Sequence, residues 1–294
     1  MTPTRILLIG ATGQVGWELQ RCVQALGTVI PAGRQQSHRV DLTDPDSVRT
    51  LVQATQPTII LNAAAYTAVD KAETEAELAY AVNAQAPGIL AEEAQRLGAL
   101  LVHYSTDYVF NGQQCHPYTE DVPTQPLGVY GSSKLAGEQA IQAVGGQYLI
   151  FRTAWVYGRR GHNFLLTMQR LARERDELRI VNDQVGAPTW SRVIAEVTAM
   201  ILAQLYSPFS RLEMPEMSGI YHLTCAGETT WYHFASAILA QGERQPRLVP
   251  ITTKDYPTPA QRPAYSVLSC AKLQETFGVN LPSWDQALAL CLAN

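Results

Sequence analysis

Tyr130-Gly-Ser-Ser-Lys134 places a phenol and an ammonium four residues apart. On a helix that spacing puts both on one face, where they can act together. An isolated tyrosine holds its proton to about pH 10 and exchanges it poorly at neutrality. A lysine cation beside it favours the phenolate and draws that value down. The pair then suits proton exchange with a carbonyl or hydroxyl oxygen during hydride transfer. With 13 tyrosines and only 4 lysines in the chain, about 0.2 such pairs arise by chance. A packed tyrosine beside a solvated lysine is the alternative.

Two further clusters extend this chemistry. Ser105-Thr106-Asp107-Tyr108 follows an apolar run, Leu100 to Tyr104, that reads as a strand. Ligands of open α/β sheets bind beyond the carboxyl ends of the strands, so a hydroxyl here can hydrogen-bond a reacting oxygen beside Tyr130. A turn or helix cap uses the same residue types. Near the start, Gly10-Ala-Thr12-Gly13-Gln14-Val15-Gly16 lies directly after the apolar run Ile6 to Ile9. Glycines there serve a tight turn, close approach of a diphosphate and helix-on-strand packing, and the helix N-terminus faces the phosphates. After the second strand, Val29-Ile30, no acid follows to hold a ribose 2′-hydroxyl; Arg34 stands there instead. A guanidinium fork suits a 2′-phosphate, which favours NADP(H), with NAD(H) as a second option. A solvated surface arginine is the bland reading of Arg34. Asp41, followed by Leu42, is expected near the adenine, unless it only caps a helix or turn.

These residues need a scaffold that brings strand ends and helix starts together. Arg5–Ile9, Val29-Ile30, Thr58–Leu61, Leu100–Tyr104 and Leu149–Arg152 read as short apolar strands. Between them, helical periodicity covers Trp17–Leu26, Asp46–Gln53, Glu73–Gly98 with a break near Pro87, and Ser132–Val144. Continuous apolar strands alternating with helices predict a parallel sheet covered on both faces, a Rossmann-type doubly wound α/β fold. After about residue 155 prolines crowd the chain (188, 208, 215, 246, 250, 257, 259, 263 and 282) and the apolar pieces shorten. The expected division is a dinucleotide-binding domain over 1–155 and a smaller α/β lobe over 156–294, with the chain free to cross between them.

Composition narrows the function classes. At 294 residues, 46% hydrophobic and 16% charged, the chain can bury a core without disulfides or structural metal. A net charge of −4 argues against a nucleic-acid partner, which calls for a basic patch. No run approaches the roughly 20 apolar residues that span a bilayer, and Gly10 cuts short the first apolar run before it can serve as a signal peptide. The five cysteines, Cys22, Cys115, Cys225, Cys270 and Cys291, are scattered without a CxxC, which fits reduced thiols and a cytoplasmic location. The six histidines show no zinc-binding spacing, so no metal site is predicted from them.

The motifs together resemble the extended short-chain dehydrogenase/reductases, and within them the dTDP-4-dehydrorhamnose reductases. The likeness runs the length of the chain: Gly10–Leu19, Asn62–Glu73, Tyr104–Phe110, Tyr130–Glu138, Phe151–Tyr157, Asn182–Thr189, Gly219–His222 and Pro257–Pro263. It implies reduction of a C4 keto group on a dTDP-sugar by NADPH, with Tyr130 as proton donor. Lys134 would bind the nicotinamide ribose, and Thr106 would complete the triad. It further implies that Ala63, Ala64, Ala65, Tyr66, Thr67 and Tyr104 line the cofactor. Asp107, Trp155, Asn163, Gln184 and Arg262 fall on the substrate side, with core packing as the alternative for Trp155 and a salt bridge for Arg262. Related 4,6-dehydratases carry Thr-Asp-Glu at the strand end; here Tyr108 follows Asp107 and removes that acid. Some members bind Mg²⁺ through glutamates at a dimer contact. Glu18 matches one of these, whereas Arg192 occupies another and the chain ends at Asn294, so a homodimer stays an option and bound Mg²⁺ an option with weak support. Two other readings remain: a different nucleotide-sugar 4-keto reductase, and a non-catalytic NADP-binding relative similar to the methionine adenosyltransferase β subunit.

Overall fold

The computed structural model describes residues 4–207, 212, 214, 216–240, 242 and 244–293; Pro208, Pro215 and Asn294 lie outside the described residues. The first half runs β1 (Arg5–Ile9), α1 (Gln14–Cys22), β2 (Thr28–Ala32), α2 (Pro45–Thr55), β3 (Ile59–Asn62), α3 (Val69–Ala72) and α4 (Ala76–Tyr80). A π-helical turn, Ala81–Gln85, leads into α5 (Ala86–Leu97), β4 (Leu100–Thr106), α6 (Val129–Val144) and β5 (Gln147–Thr153). The second half contains β6 (Val156–Tyr157), α7 (Phe164–Glu174), β7 (Glu177–Val181), β8 (Val185–Gly186), β9 (Thr189–Trp190) and α8 (Ser191–Leu205). It ends with β10 (Gly219–His222), β11 (Thr229–Thr230), α9 (Trp231–Leu239), β12 (Arg247–Ile251), α10 (Ala271–Phe277) and α11 (Trp284–Ala293).

Six parallel strands form the main sheet in the order β10-β5-β4-β3-β1-β2. Its strands are mostly apolar because both faces are covered, with polar residues such as Asn62, His103 and Arg152 set among them. Ile6 and Leu8 of β1, Ile59 and Leu61 of β3, and Leu149 and Phe151 of β5 enter one core. Their neighbours Leu7, Ile9, Ile60 and Ile150 enter the other. The chain leaves β1 for β2 on one side and returns to β3 on the other, so the strand order reverses between β1 and β3. Ligands of doubly wound sheets bind at that crevice.

Two elements differ from the sequence reading, and a third, the break near Pro87, falls where it was expected. The strand series does not close at β5: β10 returns from the second half and pairs with it, Ile220 beside Ile150. At four residues, among loops and prolines, β10 offers too little periodicity to stand out. Helix α6 begins at Val129 rather than Ser132, which places Tyr130 in its first turn. The long stretch before β4 breaks at Ala81–Gln85, ahead of Pro87, because proline has no N–H to return to the carbonyl four residues back.

Candidate active site

The glycine loop joins β1 to α1 at the reversal point. Gly10 has φ +82° and lies so near β3's exit that a Cβ would sit 2.7 Å from the Ala64 nitrogen. A Cβ on Gly16 would approach the Gly10 carbonyl oxygen to 2.1 Å, so the helix can pack this tightly only on glycine. At Gly13, by contrast, the nearest atom to a Cβ is that same oxygen at 3.3 Å. Gly13 caps α1 without a side-chain hydrogen bond, and no acid occupies the first turn. The first N–H groups and the positive end of the helix are thus left for an anion, and the loop fits the diphosphate of a dinucleotide. Thr12 is exposed, Gln14 and Val15 half-buried. Ala63, Ala64, Ala65 and Tyr66 follow β3 with partly covered side chains, and Thr67 is exposed. Arg34 is exposed on the turn after β2 and acts electrostatically on Asp41. Asp41 itself accepts from the Thr43 N–H at 2.9 Å and hydroxyl at 2.7 Å, the turn-forming use of an aspartate, and Leu42 packs against the core.

At the carboxyl end of β4 the predicted acid–base residues meet. Tyr130 is half-buried, with its ring edge-on to Tyr108 at 5.5 Å between centroids. Its phenol is pushed up to about 12, chiefly by burial and further by the Asp107 charge, against a hydrogen bond with Thr106. The direction is opposite to that expected from the Tyr–Lys spacing. Lys134, 1% exposed, donates to the Tyr104 carbonyl oxygen at 2.6 Å and stands 3.1 Å from His103 Nε2. Burial brings Lys134 down to about 8, and Glu138 opposes the shift. Desolvation of the phenol outweighs its hydrogen bond with Thr106, and Tyr130 keeps its proton at neutral pH. Thr106 Oγ1 donates to Asp107 Oδ1 at 3.1 Å and accepts from the Tyr108 N–H at 3.2 Å. Tyr104 reaches the site through its carbonyl only; its ring enters the core and its hydroxyl lies 3.0 Å from Thr198 Oγ1.

The remaining residues expected on the substrate side fall in separate surroundings. Trp155 adopts φ +45° and stacks on Trp231 at 3.5 Å and 6°. A Cβ on Gly186 would lie 2.4 Å from the Trp155 ring, so that glycine makes room for the indole. Gln184 accepts from Trp231 Nε1 at 3.2 Å and donates to Thr253 at 3.0 Å. Asn163 caps α7, accepting from the Leu166 N–H, and its amide donates to Gln14 Oε1 at 2.8 Å, tying the second half to the glycine loop. Arg262 takes the salt-bridge alternative, pairing with Asp70 at 2.9 Å. Glu18 is pushed above its ordinary range chiefly by burial and also by the charge of Glu196, with Arg192, Arg21 and Arg160 opposing the shift.

Several contributors escaped the sequence reading. Asn83, in the π turn, accepts from the Tyr66 N–H at 2.8 Å and donates to the Tyr66 carbonyl at 3.0 Å and to Ser133 at 3.0 Å. It thereby fixes the segment after β3. Glu138 and Arg152 pair at 2.7 Å under the site, both nearly fully buried, and Ser105 donates to Glu138 at 2.5 Å. The Tyr-x-x-x-Lys motif continues to Glu138 at the next turn of the same helix, the one signal that pointed to it.

Comparison with known proteins agrees with this geometry. The family described as RmlD substrate binding domain matches residues 4–294. A dTDP-4-dehydrorhamnose reductase of Burkholderia thailandensis is 49% identical over 98% of both chains. One of Escherichia coli K12 is 44% identical over 95% of this chain and 94% of its own. The crystal structure of dTDP-4-dehydrorhamnose reductase from Bacillus anthracis, in complex with NADP, superposes with TM-score 0.91 at 33% identity, covering 99% of each chain. The Thermus thermophilus UDP-glucose 4-epimerase, at 21% identity and TM-score 0.82, shares the fold. By sequence and by architecture, this chain belongs to the RmlD family of dTDP-4-dehydrorhamnose reductases.

Proposed function

We propose that this oxidoreductase reduces the C4 keto group of dTDP-4-dehydro-β-L-rhamnose to dTDP-β-L-rhamnose, the last step in making that nucleotide sugar, at the expense of NADPH. The observation that carries the reading is the meeting of Tyr130, Thr106 and Lys134 at the carboxyl end of β4, within a chain of this family. NADPH bound along Gly10–Gly16 supplies hydride to C4. Tyr130 gives its proton to the keto oxygen, and a phenol held protonated by burial is suited to that direction of reaction. Thr106 orients the phenol and the reacting oxygen. Lys134 binds the nicotinamide ribose, and Ala63 to Thr67 line the cofactor. Asp107 and Trp155 face the sugar nucleotide, with Gln184 behind Trp231 in the same aromatic group. Asn163 and Arg262 shape that side through their bonds to Gln14 and Asp70. Arg34 is assigned to the 2′-phosphate, which makes NADPH preferred over NADH.

Mixing the protein with dTDP-4-dehydro-L-rhamnose and NADPH tests the reading directly, by loss of reduced-nicotinamide absorbance. The expected result is NADPH oxidation matched by dTDP-rhamnose formed, with Tyr130→Phe losing about 100-fold or more in turnover while still binding NADPH. Binding without oxidation points instead to a regulatory relative, and faster turnover with another base or sugar to a different 4-keto reductase. Arg34→Ala is expected to weaken NADPH more than NADH; equal effects make Arg34 an ordinary surface arginine.

A further inference from the structure

Below Lys134 lies a buried polar residue for which the proposed chemistry has no use so far. His103 has no exposed surface and stands beside Asn62 in the pairing of β4 with β3. Its Nε2 is 3.1 Å from Lys134 Nζ, and its Nδ1 is 3.1 Å from the Asn62 side-chain amide. Burial and the neighbouring ammonium both push its pKa well below 6.5, so the ring is neutral. A neutral imidazole has one donor and one acceptor nitrogen, and a lysine ammonium has only donors. Nε2 therefore accepts from Lys134, and Nδ1 carries the proton. That proton needs an acceptor, and Asn62 Oδ1 is a buried atom without a hydrogen-bond partner. Turning the amide end for end, an exchange of atoms equal in shape, sets Oδ1 against Nδ1–H. The donors then run in one direction, from Lys134 through His103 to Asn62.

We infer that His103 is a positioning residue for the proposed reduction: its Nε2 lone pair and the Tyr104 carbonyl hold two N–H bonds of Lys134, leaving the third for a ligand hydroxyl. The inference rests on the ribose-binding role given to Lys134 above. The groups facing that ammonium are His103 and the Tyr104 carbonyl from β4 and Glu138 from α6, with Arg152 of β5 paired to Glu138 behind it. Of these His103 supplies a lone pair and no charge. Without it the ammonium loses an acceptor, is less well fixed, and releases its proton at lower pH.

His103→Leu removes the lone pair, and His103→Gln replaces it with a carboxamide oxygen. In His103→Leu we expect kcat to fall about tenfold and NADPH affinity, measured by fluorescence titration, to weaken by a similar factor. KM for the sugar nucleotide stays close to the wild-type value. The alkaline limb of the rate profile moves down by about one pH unit, and His103→Gln restores most of each loss. In the free protein, long-range ¹⁵N spectra of the imidazoles are expected to show His103 protonated on Nδ1 and not titrating between about pH 5 and about pH 9. An Nε2-protonated ring, a ring that titrates near its ordinary value, or an unmoved alkaline limb in His103→Leu overturns the inference. If His103→Leu fails to fold, the spectrum and His103→Gln decide. Lys134→Met separates the two levels: wild-type turnover and NADPH affinity there overturn the role of Lys134 itself. Loss there, with His103→Leu unaffected, overturns only the role of His103.

Discussion

Asp107 holds a carboxylate almost entirely withdrawn from water. It is 2% exposed, its Oδ2 has no hydrogen-bond partner, and burial pushes it up to about 6 despite hydrogen bonds with Ser266 and Thr106. The folded value lies above the unfolded one, so the native state holds the proton more tightly. The group supports folding fully below about pH 4, and that support is lost as pH rises through about 6. Asp107→Asn is therefore expected to raise stability by about 1–2 kcal/mol at about pH 8 and to give no gain near pH 4. Denaturant titrations at the two pH values check this; equal effects at both mean that charge burial is not the cause. The same competition explains what the sequence conveyed at this scale. Tyr130, Thr106 and Lys134 were legible because spacing and strand-end position mark them. The direction of the Tyr130 shift was not, since it depends on how deeply the folded chain buries the phenol and on the Asp107 charge beside it. His103 and Asn83 were silent because a buried polar side chain inside an apolar strand or an alanine-rich helix carries no periodic signature.

The helix that bears the acid–base pair is seated where side chains are missing, at Gly131 against the Tyr108 carbonyl and at Gly137 against the π turn. A Cβ on Gly137 would come within 2.1 Å of the Asn83 carbonyl oxygen, so α6 rests directly on the π turn. That turn in turn lets Asn83 grip Tyr66 from both sides of its peptide unit. Gly137→Ala must push α6 or the turn aside. We expect a loss of about 2–3 kcal/mol together with weaker NADPH binding, because the segment after β3 loosens. Gly88→Ala is the control: its Cβ would meet the Ala140 methyl at 3.2 Å, a contact that a small shift relieves. Similar losses in both variants, by thermal melting and NADPH titration, rule out the special role of the π turn. The break near Pro87 was readable from proline's missing donor, but its π geometry was not, because that depends on how closely α6 approaches. The first strands were plain because burial on both faces makes them continuously apolar; β10, a four-residue edge strand, had no length in which to show a pattern.

Across the whole molecule the two halves of the chain share one core. Ile6 and Leu8 of β1 belong to the same buried cluster as Tyr221 of β10, Phe234 of α9 and Leu288 of α11. Bonds outside the core repeat the link, from Asn163 to Gln14 and from Arg262 to Asp70. A cofactor half that lost its partner would expose the β5 edge now covered by β10 and the apolar face beneath α8. Unfolding is therefore expected to be a single transition, despite a length that permits two domains. Four of the five tryptophans, Trp155, Trp190, Trp231 and Trp284, lie after β5 and weight the fluorescence toward the second half, whereas far-UV circular dichroism sums the helices of both. The two melting curves should coincide, and NADPH should move them upward together. An early fluorescence transition with most of the helical signal intact would contradict a shared core. Arg262→Met sharpens the test, since Asp70 is 40% exposed and Arg262 22%. A pair so open to water contributes less than about 1 kcal/mol. Cutting it should lower both curves slightly and equally, leaving buried apolar contact as the force that couples the first half of the chain to the second.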